Sequence, residues 1–178
     1  MTLEVRRLEP HDDRTRFRSG NVDLDRFFLR YAGQNQFRHH IGTTYVAVRE
    51  DGFIAGFATV TASEVATAAL SATKRKRLPQ YPLPVLRLAR LAVDERAKGQ
   101  GIGSLLLRAV LALAQRMARD FGCVGVVVDA KPGAVAFYEK LGFVPLEVTA
   151  GQLGDRPEPL PMFLEVGLVP APTGSSEA

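Results

Sequence analysis

The chain has 178 residues, 46% of them hydrophobic and 24% charged, enough for one domain with a sizeable core and too evenly mixed for a disordered or fibrous protein. Its 23 basic against 19 acidic residues leave a net charge of +4, a mild excess that admits a polyanionic partner without demanding one. A single cysteine, Cys123 in the apolar "FGCVGVVVD", excludes a disulfide framework and a Cys-rich metal site, and no metal is expected. No apolar run reaches membrane-spanning length, and "MTLEVRRLEPHDDRTR" lacks the apolar centre of a signal peptide. A cytoplasmic protein without membrane contact is the expectation.

In chain order, "LEVRRL" (Leu3 to Leu8) reads as a first strand. Asp23 then reads as the N-cap of an amphipathic helix whose buried face carries Leu24, Phe27, Phe28 and Tyr31 at i, i+3, i+4 and i+7. "TTYVAVRED" and "GFIAGFATVTAS" alternate like strands, joined at "EDG" by a hairpin turn. After an irregular or helical stretch near Thr67 to Lys76, the prolines of "LPQYPLP" oppose regular structure. "VLRLARLAV" (Val85 to Val93) is the next strand and leads straight into glycines. A long helix runs from Gly101 to Phe121, with Ile102, Leu106, Ala109, Leu113 and Met117 as its buried stripe and Arg108, Gln115 and Arg119 in water. "VGVVVDA" is a buried strand, "GAVAFYEKLG" a short helix closed by Gly142, and "FVPLEV" and "MFLEVGLV" are the last strands. The order is an alternating α/β unit, a single domain over 1–169, with 170–178 a small polar tail expected to be disordered.

Strand, glycine-rich turn and helix start together make an anion site, because free N–H groups converge there and the helix dipole favours negative charge. In "KGQGIGSLLL" the glycines are Gly99, Gly101 and Gly103. A phosphate loop of the Walker type needs Lys-Ser or Lys-Thr after the last glycine, and Ser104-Leu105 stands there instead. A dinucleotide fingerprint needs Gly-x-Gly-x-x-Gly and an acid at the end of the next strand about 20 residues on, but the spacing here is Gly99-x-Gly101-x-Gly103 and Asp120 falls at a helix end. A plain glycine turn remains open, although three glycines at a helix start cost conformational entropy that a ligand would offset.

"KGQGIG" before "SLLL" resembles the pyrophosphate-binding motif of the GNAT acetyltransferases, Gln/Arg-x-x-Gly-x-Gly/Ala, with Lys98 or Arg96 in its first position according to register. "AVAFYEKLGFVPL" resembles the same family's Phe-Tyr-x-x-x-Gly-Phe ending. "FRSGNVDLDRFFLRYAGQNQFRH", "RLPQYPLPVLRLARLAV" and "VDAKPGAVAFYEKLGF" narrow the likeness to GNAT toxins of bacterial toxin–antitoxin pairs, which acetylate the amino group of aminoacyl-tRNA. The resemblance implies the GNAT fold, a mixed and mostly antiparallel central sheet flanked by helices, with a splayed strand pair holding acetyl-CoA. It implies aminoacyl-tRNA as acceptor and a ribbon-helix-helix antitoxin as partner, and leaves a homodimer open. An acetyltransferase acting on a small-molecule or protein amine keeps the same chemistry, and a non-catalytic binding module for coenzyme A or nucleic acid stands as a third class.

By that resemblance Lys98, Gly99, Gln100, Gly101, Ile102, Gly103 and Ser104 hold the pyrophosphate. Leu91, Ala92 and Val93 hold the pantetheine arm by main-chain bonds, and one of their N–H groups can stabilise charge on the thioester oxygen. Tyr138 is the candidate acid for the departing thiolate, since a phenol stays protonated at neutral pH. No side chain stands out as a base. His11, His39 and His40 lie in polar segments, and Glu139 faces away from its neighbour Tyr138. The missing base leans toward an α-amine near pKa 7.7–8.0, which keeps a neutral fraction at pH 7. Arg90, and with it Arg87, is the candidate for phosphates near the acceptor end. Arg38 and the run Lys74, Arg75, Lys76 and Arg77 are candidates for further tRNA backbone contacts. For each of these cations, an ion pair or plain solvated surface is the competing role.

Overall fold

The computed structural model describes residues 2–147 and 159–168, and the expected tail at 170–178 lies outside them. The elements follow in the order β1 (Leu3–Arg7), α1 (Val22–Arg26), a π-helical turn (Phe27–Tyr31), α2 (Ala32–Gln34), a second π-helical turn (Asn35–His39), β2 (Thr43–Arg49) and β3 (Ile54–Val65). Then come α3 (Ala72–Arg75), β4 (Leu83–Val93), α4 (Ile102–Asp120), β5 (Gly125–Ala130), α5 (Val135–Lys140), β6 (Val144–Pro145) and β7 (Leu160–Glu165). The sheet order is β1-β2-β3-β4-β5-β7-β6, and the pairings β1–β2, β2–β3, β5–β7 and β6–β7 are antiparallel. This is the mixed, mostly antiparallel sheet that the sequence resemblance implies.

The chain divides into two compact units, Met1–Thr61 with Leu88–Val110 and Ala62–Arg87 with Leu111–Ala178. The first has an aromatic centre. Phe28 and Phe57 stack with centroids 4.3 Å apart, and Phe17 meets both edge-on at 4.9 and 5.4 Å. Leu8, Val46, Val48 and Ile54 close around them. Each fully buried Phe contributes about 1.5–3 kcal/mol over an exposed one, and a well-set aromatic pair adds about 0.5–1.5 kcal/mol. The second unit is aliphatic, built from Val65, Leu70, Leu83, Val85 and Val127 around Phe163.

Near the C-terminal end the strand expected from "FVPLEV" shrinks to Val144–Pro145, and Val166–Leu168 of "MFLEVGLV" turn into a 3-10 helix after β7. Three further local features depart from the sequence expectation. The first helix is capped by Asn21, whose side chain accepts from the N–H groups of Asp23 and Leu24 at 3.0 and 3.1 Å, so Asp23 sits inside the first turn. Tyr31 is exposed although Leu24, Phe27 and Phe28 pack inward. The π-helical turn over Phe27–Tyr31 explains this, because i→i+5 bonding widens the turn and carries position i+7 off the buried face. Finally, Leu83 and Pro84 belong to β4, with the proline at its second residue, where a strand tolerates the missing N–H.

The long helix forms where its periodicity puts it. Ile102, Leu106 and Met117 are buried, and the stripe also runs through Leu107, Val110, Leu111 and Ala114, leaving Ala109 and Leu113 half-buried. Its first turn docks on β3 at Gly56. A Cβ there would stand 2.8 Å from Ile102 Cγ2 and 2.8 Å from the Ala92 carbonyl, so only glycine admits this approach.

Candidate active site

The loop between β4 and α4 is shaped by backbone rather than side chains. Gly99 and Gly101 both have φ of +77°, the left-handed region that side chains other than glycine rarely adopt, and no atom lies within 4 Å of where a Cβ would stand on either. Leu105 is the first residue of α4 to close a helical bond, from its N–H to the Gly101 carbonyl at 3.0 Å. The N–H groups of Gly101, Ile102, Gly103 and Ser104 therefore precede the intrahelical ladder at the positive end of a 19-residue helix. Ile102 is buried and offers the loop only its backbone. The open cradle and the unused N–H groups fit the diphosphate of the coenzyme that the sequence resemblance implies.

What fixes this loop was missed in the sequence. Asp94, the residue after β4, is fully buried and accepts from Arg18 N–H at 3.1 Å, Arg96 N–H at 2.9 Å and the Arg96 guanidinium at 2.9 and 3.1 Å. Burial pushes its carboxyl upward, but the Arg96 side chain and the two backbone N–H bonds outweigh this and hold it below the ordinary carboxylate range. The first-unit segment Arg16–Ser19 supplies the other anchors. Glu95 N–H bonds the Arg18 carbonyl at 2.8 Å, Arg96 reaches the Arg16 carbonyl at 3.1 Å, and Lys98 Nζ donates to the Ser19 carbonyl at 2.8 Å. Lys98 thus ties the loop down as well as bringing charge to it. The hairpin contributes Phe53, which lies under both the Arg49 and Arg96 guanidinium groups at 4.6 and 4.7 Å, while Arg49 also donates to Gln100 at 3.3 Å.

Leu91, Ala92 and Val93 are the last three residues of β4, with Ala92 in the core. Asp94 N–H bonds the Ala55 carbonyl at 2.8 Å and pins this strand end to β3. Just before it, Ala89 and Arg90 are both exposed, which breaks strict alternation. The Arg90 guanidinium sits 3.7 Å from the Phe27 ring centroid, and no carboxylate pairs with it among the described residues. Burial alone shifts Arg90, downward, because the stacking replaces water without adding an acid.

The other candidate cations divide sharply. Arg87 bonds Asp129 at 2.6 Å. Lys74 and Arg77 lie 3.9 and 3.8 Å from Glu165, Arg75 lies 3.5 Å from Glu147, and Lys74 also covers the Phe163 ring at 4.9 Å. Lys76 and Arg38 are exposed, and among the described residues neither forms an ion pair with an acid.

Tyr138 stands on α5 in the second unit, its ring edge-on to Phe137 at 5.2 Å and to Phe143 at 5.4 Å. Only 5% of the residue is exposed, and burial raises the phenol to about 12. Among the described residues no group hydrogen-bonds its hydroxyl, and no fully buried side-chain polar atom lacks a partner, so the hydroxyl keeps access to solvent. The ring is packed while the proton is left available.

Residues 40–145 match the model of the acetyltransferase (GNAT) domain. The chain belongs to the GNAT acetyltransferases. This N-acetyltransferase is 34% identical over 139 residues to a "tRNA-acetylating toxin" of Mycobacterium tuberculosis, a match covering 78% of the chain and 82% of the relative. AtaT complexed with acetyl-methionyl-tRNAfMet superposes with a TM-score of 0.81 at 27% identity, covering 93% of this acetyltransferase and 96% of AtaT. AtaTR bound with AcCoA gives 0.76 at 27% identity, over 94% and 95%. No helix among the described residues is long and apolar enough to cross a membrane.

Proposed function

We propose that the protein is a toxin that transfers an acetyl group from acetyl-CoA to the α-amino group of aminoacyl-tRNA, so that the charged tRNA can no longer serve translation. The likeness to the tRNA-acetylating toxin of M. tuberculosis carries this reading. The arrangement of the chain supports it: a backbone cradle for a diphosphate, a protonated phenol, and cations without acid partners. Bound acetyl-CoA supplies the acetyl group as an activated thioester.

The chain's own residues do the rest. N–H groups of Gly99 to Ser104 hold the diphosphate, and the main chain of Leu91 to Val93 aligns the arm and faces the thioester oxygen. Tyr138 donates its proton to the departing sulfur, a step that needs the phenol neutral. An α-amine retains a neutral fraction near pH 7, so the chain needs no strong base. Arg90, Arg38 and Lys76 meet phosphates of the tRNA directly. Lys74, Arg75, Arg77 and Arg87 do so only by releasing their acid partners. Residues 1–169 act as one acetyltransferase domain in the cytoplasm, held in check by an antitoxin.

Incubation with labelled acetyl-CoA and total charged tRNA tests this. Label should appear as N-acetyl-aminoacyl-tRNA. Label passing to small amines or protein while charged tRNA stays unlabelled would overturn the acceptor and leave the acetyltransferase.

A further inference from the structure

Arg90 opens onto a cavity of about 210 Å³ inside the first unit. Pockets for drug-sized molecules run on the order of 300–1,000 Å³, so this one suits a fragment, such as one amino-acid side chain, better than a nucleoside. Its apolar wall comes from Phe27, Ala32, Ile41 and Ala89. Its hydroxyls are already spent on the protein: Thr44 and Thr59 bond each other at 2.8 Å, and Thr61 donates to the Ile41 carbonyl at 3.2 Å. Among the described residues no carboxylate lines it, and the one charged side chain in its lining is the Arg90 cation. Chain connectivity sets its position, because Ala89 and Arg90 immediately precede Leu91 to Val93 on β4.

We infer that this cavity receives the side chain of the aminoacyl group, and that Arg90 makes it select uncharged, apolar side chains over cationic ones. The inference rests on the proposed acceptor being aminoacyl-tRNA. An apolar side chain loses water against Phe27, Ile41 and Ala89, and the threonine hydroxyls of the cavity, already bonded within the protein, demand nothing of it; Asn35 is the remaining neutral polar side chain of the lining. A lysyl or arginyl side chain would bring a second positive charge beside Arg90 with no acid to receive it, a repulsive element as well as a missing attractive one. Glycyl groups would leave the cavity unfilled.

The test compares kcat/KM on a panel of separately charged tRNAs carrying glycine, alanine, leucine, methionine, lysine and arginine. The wild type should favour leucyl- or methionyl-tRNA over lysyl- and arginyl-tRNA by about 10–200-fold. Arg90→Gln should narrow that ratio even if its loss of a phosphate contact slows every substrate. Ala89 is exposed on its strand, so Ala89→Phe should fold normally. It should penalise leucine and methionine about tenfold or more relative to glycine, by filling the cavity. Overturning results are a cationic substrate as good as an apolar one in the wild type, or both variants slowing all six tRNAs in equal proportion. If the wild type acetylates none of the six but does acetylate a small amine, the acceptor reading itself falls, and this pocket with it.

Discussion

Arg87 and Arg90 lie three residues apart on one strand and have opposite fates. Arg87 is closed off by Asp129 at 2.6 Å, whereas Arg90 is stacked on Phe27 and, among the described residues, faces no acid. The same division runs through the molecule. Asp94, Arg96 and Lys98 are bound to the protein itself, while the Tyr138 hydroxyl and the N–H groups at the start of α4 are not. Groups already satisfied by the fold report on stability, and groups the fold leaves over report on ligands.

The largest expected effect is at the cradle, where the protein has left space. Gly101→Glu places a carboxylate in the anion site and forces a side chain onto a φ of +77°. Acetyl-CoA binding should be lost by calorimetry while far-UV circular dichroism keeps its native form. Retained affinity would mean the coenzyme does not use this loop. Next comes Tyr138→Phe, which keeps the ring and removes a hydroxyl that no described residue hydrogen-bonds. It should lower kcat about 10²–10⁴-fold, with KM and thermal midpoint nearly unchanged. A near-normal kcat would make Tyr138 a packing residue. The phenol also fixes a pH signature. Raised in the folded protein to about 12, it contributes stability that is complete below the ordinary tyrosine range and lost as pH climbs from there through 12. The Tyr138→Phe protein should lack that part of the alkaline decline in urea midpoint.

Asp94 should behave in the contrary way. Asp94→Ala strands the Arg18 and Arg96 N–H groups and should cost roughly 1–3 kcal/mol in urea unfolding, with weaker acetyl-CoA binding as the loop loosens. Its carboxyl is depressed in the folded state, so the stabilisation is present at neutral pH and fades as pH falls below the carboxylate range. The smallest pair of effects sharpens the division between cations. Lys76→Gln, removing an exposed charge, should flatten the log–log salt dependence of tRNA affinity by about 0.7–0.9 if it touches one phosphate. Arg87→Gln should leave that slope alone and cost under about 1 kcal/mol, as part-exposed pairs do. An unchanged slope in Lys76→Gln returns that residue to solvated surface.

Much of this was readable in the chain because its signals are local. A strand ending in glycines before an amphipathic run dictates left-handed backbone and a helix start, and Gly99 and Gly101 adopt that backbone. Tyr138 stood out through its place in a short motif. Asp94 did not, since a lone aspartate after a strand carries no pattern, and its Arg18 partner lies 76 residues away. The acids facing Lys74, Arg75 and Arg77 hid in the same way, distant in sequence and ordinary in type. Tyr31 was misplaced because a 3.6-residue period cannot announce a π-helical turn.

The anchoring of the glycine loop by Arg16 to Ser19 also sets an order of events for a chain being made. Its ties join residues 76 to 80 positions apart, so the N-terminal half of each has to wait for the other half to leave the ribosome. Until residue 98 is free, a growing chain has no fastened glycine loop. Trimming the N-terminus past Ser19 would remove all of these long-range ties with a single cut, far in sequence from any glycine in the loop.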